Sequence, residues 1–240
     1  MKTLMITKPM APPWDDSAKN MARDIVFAVP GRKFHLLSIP HHRIGAENAR
    51  EEPFYFDVQS GYSPGLLMKM RIFARIIRPD EIDLVHLFFQ PNPLTLRMSR
   101  YALAIKGHTK CMHTLTCAPG NFEKSAPLLF ADRIVTVSKW TAGRLEKHGV
   151  KNVSCIYPCA ETATPEDRSS ARRKSGLSEE GPLALFAGDL ESDELINRLV
   201  RILEGIKGSN LKLIVACRDK TEATPTFKRR LKRLTDEAGA

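Results

Sequence analysis

No apolar run in this sequence approaches the roughly 18 residues that a helix needs to cross a bilayer. The N-terminus, MKTLMITKP, offers only Thr3 to Thr7 before Lys8. That is too short for the apolar region of a signal peptide and reads instead as a first strand. Cysteine is sparse: Cys111, Cys117, Cys155, Cys159 and Cys217 are odd in number and include no C-x-x-C pair. A disulfide framework is not expected, and the thiols read as buried groups of a protein in a reducing, cytosolic compartment. Nor do Cys111, His113, Cys117 and His108 match a zinc-ligand spacing, and strand residues alternate faces, so no metal site is expected. The chain shows no internal repeat and no low-complexity run.

Acidic residues are the other shortage: 27 Asp and Glu stand against 37 Lys and Arg, a net charge of +10. Such a balance suits nucleic acid, an anionic membrane surface or phosphorylated substrates. Nucleic acid ranks last, because basic residues are not interleaved with the aromatics that stack on bases. At 240 residues and 42% hydrophobic the chain has ample material for one large domain or two small ones.

The stretch from Ala131 to Glu161 organises the rest. Arg133 to Val137 is a β-branched run, Ser138 stands where a helix N-cap belongs, and Gly149 suits the helix end. Val153 to Tyr157 then reads as a second strand leading to Pro158. Ser and Gly satisfy helix-end groups that otherwise lack partners, and two apolar strands joined by one helix make a right-handed parallel unit.

Upstream, strands are expected at Thr3–Thr7, Phe34–Ile39, Phe54–Val58, Leu84–Phe89 and Lys110–Thr116, with His41–Glu52 as loop. Helices are expected from Ser17 (as cap) to Val29, from Pro64 to Arg78 and from Pro93 to Lys106. The first should bury Met21, Ile25 and Val29; the second should bury Leu66, Met70, Phe73 and Ile77. This alternation predicts a parallel sheet covered on both faces. His86 reads as a core histidine, and for His113 a position on the polar face of its strand, pointing to the cleft, is the less favoured reading.

After Pro158 the composition changes. Residues 161–181 read as a linker with a short helix. Residues 182–240 then give strand, helix, strand and a basic helix, too little for an independent core, so this part reads as the beginning of a second domain. The charge runs Arg172-Arg173-Lys174 and Lys228 to Arg233 read as solvated faces.

Several segments in series resemble the GT-B glycosyltransferases, in particular the retaining family 4 group. Met5-Ile6-Thr7 with Ala11-Pro12-Pro13-Trp14 is similar to that family's first strand and Pro-rich loop. Asp83-Leu84-Val85-His86 is similar to its D-[IL]-V-H strand, and Ala131-Asp132-Arg133-Ile134-Val135-Thr136-Val137-Ser138 to its a-D-x-I-[IV]-x-V-S segment. Val153 to Glu161 resembles the strand that leaves the first domain, and Leu185-Phe186-Ala187-Gly188-Asp189-Leu190 the strand that opens the second. The resemblance covers nearly the whole chain.

It implies an α/β, GT-B-like fold: a Rossmann-like acceptor-side domain over 1–160, a linker over 161–181 and an incomplete donor-side domain over 182–240. It also implies a metal-independent glycosyltransferase with no cofactor, taking a nucleotide-sugar donor and a saccharide or lipid-linked acceptor, in polysaccharide or envelope glycan assembly. The acceptor would meet the loops after Thr7, Phe88 and Thr116, and the donor those after Ala187 and Cys217.

Candidate acceptor residues are Trp14, Asp15, Asp16, Thr116 and Asn121, since sugars are held by an aromatic face with neighbouring carboxylates and amides. Candidate donor residues are Lys19, Asn20, Ser138, Lys139, Gly188, Arg218 and Lys220, near strand ends where phosphates gather. No catalytic residue is assigned.

The departures from the family are specific. Ser17-Ala18-Lys19-Asn20 replaces paired glycines, Thr116 replaces a histidine, and Asp189 and Glu194 stand where Arg and Lys hold the diphosphate. The family's spaced glutamates would fall beyond Ala240. A catalytically silent binding or partner subunit is therefore the alternative. The basic amphipathic segment 66–78 suits contact with an anionic membrane, which would place the protein in the cytoplasm at the inner face of the membrane.

Overall fold

The strand β1 (Lys2–Thr7) forms because KTLMIT puts apolar side chains on both sides of an extended backbone, and both sides are buried. Leu4 and Ile6 enter one hydrophobic cluster, and Met5 enters another. A strand covered on both faces belongs in the middle of a parallel sheet, and β1 sits there. The computed structural model describes residues 1–12, 14, 16–57, 64–158, 164–178, 180–190, 192–217 and 223–238. The chain divides into two compact units, Met1–Ala160 and Glu161–Ala240.

In the first unit seven parallel strands follow the order β3-β2-β1-β4-β5-β6-β7. They are β1, β2 (Lys33–Ser38), β3 (Ala49–Pro53), β4 (Leu84–Phe88), β5 (Lys110–Leu115), β6 (Arg133–Thr136) and β7 (Val153–Cys155). The chain first winds outward from β1 to β3, then returns past β1 and winds the other way. Right-handed crossovers in opposite directions place their helices on opposite faces. Accordingly α1 (Ser17–Ala28) packs with Met5, Phe34 and Leu36. On the other face α2 (Leu66–Ile77), α3 (Pro93–Lys106) and α5 (Lys139–Lys147) supply Ile72, Leu96 and Leu145 to the cluster of Leu4, Ile6, Val85 and Leu87. The short α4 (Phe122–Ser125) and a 3₁₀ turn at Ala126–Leu128 bridge β5 to β6.

The organising stretch is as expected in outline: β6, α5 and β7 form a parallel unit, Ser138 caps α5 by accepting from the Thr141 amide, and Gly149 follows the helix at φ +81°. The parallel α/β class expected from the sequence is the class observed.

Several local expectations are corrected. The third strand is Ala49–Pro53, within the expected loop, not Phe54–Val58. Phe54 and Tyr55 are buried just beyond its end, and Val58 lies outside the described residues. The strand closes one edge of the sheet and carries Arg50, Glu51, Glu52 and Pro53, a composition that guards edges and hides the alternation of a half-buried strand. The cap of α1 is Asp16, not Ser17, with Oδ1 accepting from the Ala18 and Lys19 amides.

The buried stripes of two helices are rotated from those expected. In α1, Ala18, Ala22 and Val26 face the sheet, small residues that let the helix approach closely; the expected Met21 and Ile25 pack partly buried beside them, and Val29 is exposed. In α2, Met68, Ile72 and Ile76 are buried, and Phe73 and Ile77 of the expected face pack partly buried against the same cluster, whereas Leu66, Leu67 and Met70 are exposed. The buried face of α2 also carries Arg75 (5% exposed), 2.6 Å from Glu52 and 2.9 Å from Asp80. Lys106 extends this network, bonding Asp80 at 3.1 Å.

The second unit contains α6 (Arg168–Lys174), β8 (Leu183–Ala187), α7 (Asp193–Ile206), β9 (Lys212–Ala216) and α8 (Thr224–Ala238). β8 and β9 pair in parallel, and Leu190, Ile196, Leu199 and Leu231 form the core. Arg172 corrects the solvated reading of its charge run: it is buried, donating to the carbonyls of Ser178 and Gly181 at 3.2 and 2.8 Å.

Candidate functional site

The reversal of winding falls between β1 and β4, and there the loops leaving the two strands diverge. In open parallel sheets ligands bind in the crevice this divergence leaves beyond the carboxyl ends of the strands. Here a hollow of about 400 Å³ occupies that place. Ile6, Ile72 and Phe89 supply apolar walls, and Lys8, Lys69 and Gln90 supply polar groups. Tyr55 closes one side, its hydroxyl donating to the Thr7 carbonyl at 2.7 Å; burial raises its pKa and keeps it neutral. Gln90 Nε2 donates to the Cys117 carbonyl at 3.1 Å, tying the loop after β4 to the loop after β5.

The loop after β1 is ordered by charge turned inward. Lys19 is fully buried, and its Nζ donates to the Ala11 carbonyl at 2.8 Å. Lys8 Nζ donates to Asp16 Oδ2 at 2.6 Å. Burial works against ionising the Asp16 carboxyl, but the Lys8 bond and the Lys19 and Ala18 amides outweigh it, so the group is held below the usual carboxylate range. Trp14 is half-buried, with the Arg23 guanidinium 4.7 Å from its ring centre and the Lys19 ammonium 5.8 Å away. Asn20 donates to the Trp14 carbonyl at 3.1 Å.

Behind the crevice lie two buried histidines. His86 Nε2 is 2.8 Å from Thr114 Oγ1, and His113 Nε2 is 2.8 Å from the Phe89 carbonyl. Burial, and for His86 the neighbouring His113, lowers their pKa values to about 3 and about 4 respectively. Both are therefore neutral near pH 7 and serve as hydrogen-bonding core. His113 shares its strand face with Cys111 and Leu115 in the hydrophobic cluster, against the less favoured reading that it points to the cleft. The Cys111 thiol, pushed up to about 12 by burial, is inert.

The candidate residues separate by place. Trp14, Asp16, Lys19 and Asn20 come together in the loop after β1, yet Asp16 caps a helix and the Lys19 ammonium is enclosed instead of facing a ligand. Ser138 and Asn121 also spend their side chains on caps, Asn121 accepting from the Lys124 amide at 2.9 Å. Thr116 is half-buried and Lys139 exposed.

Gly188 follows β8, its amide donating to the Ala216 carbonyl at 3.1 Å. Near it the first turn of α7 carries Asp193, ion-paired with Arg230, and Glu194, 2.6 Å from Arg198. These acids already complement the positive end of that helix. Asp15, Arg218 and Lys220 lie outside the described residues. A second hollow, of about 820 Å³, runs along β9 between α7 and α8.

Sequence reasoning named the loops after Thr7 and Phe88 but not Lys8, Tyr55, Lys69 or Gln90. Strand order brings these together, and no linear motif encodes it. The pair Asn92-Pro93, a cap followed by the favoured first helical residue, was the one local signal pointing to this corner.

No protein-family model matches the chain, and no curated protein matches it in sequence. Its fold matches solved structures. A glycosyltransferase from Rickettsia africae ESF-5 aligns with a TM-score of 0.65 at 16% identity, over 99% of this chain and 65% of that one. The apo form of the lipopolysaccharide outer core galactosyltransferase WaaB aligns with a TM-score of 0.61 at 12% identity, over 100% of this chain and 65% of that one. The chain thus has the Rossmann-like architecture of these glycosyltransferases and spans about 65% of their length.

Proposed function

We propose that this chain belongs to a retaining glycosyltransferase that moves a sugar from a nucleotide-sugar donor to a saccharide or lipid-linked acceptor, in polysaccharide or envelope glycan assembly and without a metal cofactor. The observation that carries the reading is a ligand-sized crevice at the strand-order reversal, in a fold shared with two glycosyltransferases. In this reading the acceptor binds the first unit at the loops after β1, β4 and β5, beside Trp14 and Asp16. The donor is held by the second unit through the loops after β8 and β9, where Arg218 and Lys220 stand in sequence.

The test is incubation of the full reading frame with a panel of nucleotide-sugars and glycan or lipid-linked acceptors, measuring nucleotide release and labelled product. Turnover with one donor is expected. Absence of both turnover and nucleotide-sugar binding across the panel would refute the enzyme. A binding or partner subunit is the second reading, favoured by Asp193 and Glu194 in the first turn of α7, since carboxylates there repel a diphosphate.

We also propose that the protein works at the inner face of the membrane. Among the described residues no helix is long and apolar enough to cross a membrane. The outer side of α2 nevertheless exposes Leu66, Leu67 and Met70. Beside them Arg71 stacks on Phe54 and Phe56 with 5.0 and 4.8 Å to the ring centres, and Phe56 is 61% exposed. Apolar side chains flanked by guanidinium groups suit the headgroup boundary of an anionic bilayer. The protein should co-sediment with phosphatidylglycerol vesicles and not with phosphatidylcholine vesicles. Changing Leu66, Leu67 and Met70 together to Ser should reduce binding about tenfold or more, given ~0.8 kcal/mol per buried CH₂. Equal binding by the triple variant would show that α2 is not the contact.

A further inference from the structure

The crevice between β1 and β4 holds positive charge that its described lining does not balance. Among the described residues, two ammonium groups, Lys8 and Lys69, line it and no carboxylate does. Lys8 is already paired with Asp16 from outside the lining, at 2.6 Å. Lys69 is different: it is half-buried, and among the described residues its ammonium has no hydrogen bond or ion pair. A partly desolvated cation without a counter-charge is costly, and a bound anion removes that cost.

Two further features agree. Asn92 and Thr95, the cap and first turn of the fourteen-residue helix α3, also line the hollow, so the positive end of a long helix dipole points to this corner. The remaining walls, Ile6, Ile72, Phe89 and Pro91, are apolar and suit the faces of a ring. A volume of about 400 Å³ is in the range that holds a small ligand.

We infer that this crevice takes an anionic group carried by the acceptor, a phosphate ester or a carboxylate on a sugar, with Lys69 as its counter-charge. The word acceptor rests on the glycosyltransferase reading above; the anion preference rests on the lining alone. Neutral saccharides leave Lys69 without a counter-ion and bind more weakly.

The experiment is an NMR titration of the full chain, without donor, with glucose 6-phosphate, glucuronate and glucose. It follows the backbone amides of Lys8, Lys69 and Thr95. At least one anion should perturb these amides with an affinity about tenfold or more above that of glucose, the order expected of a charge-assisted contact. The tighter of the two anions identifies the phosphate or the carboxylate as the recognised group. Lys69→Met should abolish the preference and Lys69→Arg should keep it; Lys69→Gln replaces the Met variant if that fails to fold.

Glucose binding as tightly as both anions, no binding of any of the three, or a preference that survives Lys69→Met would overturn the inference. Because no donor is present, the outcome is separate from transfer. An anion preference without turnover refutes the enzyme and leaves the subsite standing. Turnover of a neutral acceptor with no anion preference refutes the subsite alone.

Discussion

Acidification from pH 7 to pH 5 should remove about 4 kcal/mol of the stability of the first unit, an unusually large loss in a range where carboxylates still remain ionised. His35, whose pKa burial also lowers, adds a loss of the same sign, but His86 and His113 are chiefly responsible. Each is buried and neutral, with folded pKa values of about 3 and about 4, whereas an unfolded histidine titrates near ~6.5. The unfolded chain therefore takes up protons first as the pH falls. The stability associated with each neutral ring is fully present above the unfolded value. It declines below that value until the folded one is reached, at ~1.4 kcal/mol per pH unit for each site. Over the ~1.5 units between 6.5 and 5, two sites lose ~2 kcal/mol each.

Asp16 and Asp80, whose folded values are depressed, add a further loss only below about pH 4, the ordinary carboxylate range. Both tryptophans, Trp14 and Trp140, lie in the first unit, so urea unfolding followed by tryptophan fluorescence reports this unit. His86→Gln, which keeps a hydrogen-bonding group for Thr114, should halve the slope of stability against pH between 5 and 6.5. An unchanged slope in both His86→Gln and His113→Gln would mean that these rings are not neutral core.

Replacing Arg75 by Met should cost ~3–5 kcal/mol, the usual penalty for removing one partner of a buried ion pair. Arg75 is 5% exposed and engages Glu52 and Asp80, and Lys106 engages Asp80 in turn. The loss comes mainly from two partly buried carboxylates that lose their shared guanidinium and keep, among the described residues, only Arg78 and Lys106 beside them. A triple variant with Glu52→Gln and Asp80→Asn added to Arg75→Met should recover much of it, because neutral amides need no counter-charge. Arg75→Lys should fall between, since an ammonium cannot reproduce the guanidinium fork across two acceptors. The same fluorescence-detected unfolding measures all three variants, and a cost of the Met variant below about 1 kcal/mol would place Arg75 with ordinary solvated pairs.

These two features also mark where the sequence was readable. Hydrophobic runs such as Thr3–Thr7 and Leu84–Phe88, separated by capped helices, disclosed a parallel sheet because burial on both faces is written directly into composition. The cap at Ser138 and the left-handed Gly149 were legible for a similar local reason. Arg75 and Lys19 were not, since a charged residue on a helix reads as solvent-facing until its partner is known. The partners, Glu52 and the Ala11 carbonyl, come from other segments. The crevice was half legible: its loops could be named from strand ends, but Lys69 arrives from α2 only through the crossover that returns the chain past β1.

The charged end strand β3 has a consequence for how copies of this protein meet. Arg50, Glu51 and Glu52 beside the ring of Pro53 leave that margin poorly suited to pairing with a further backbone. Concentrated solutions should therefore resist growth of intermolecular sheet along that side, and self-association there would have to proceed through side-chain surfaces.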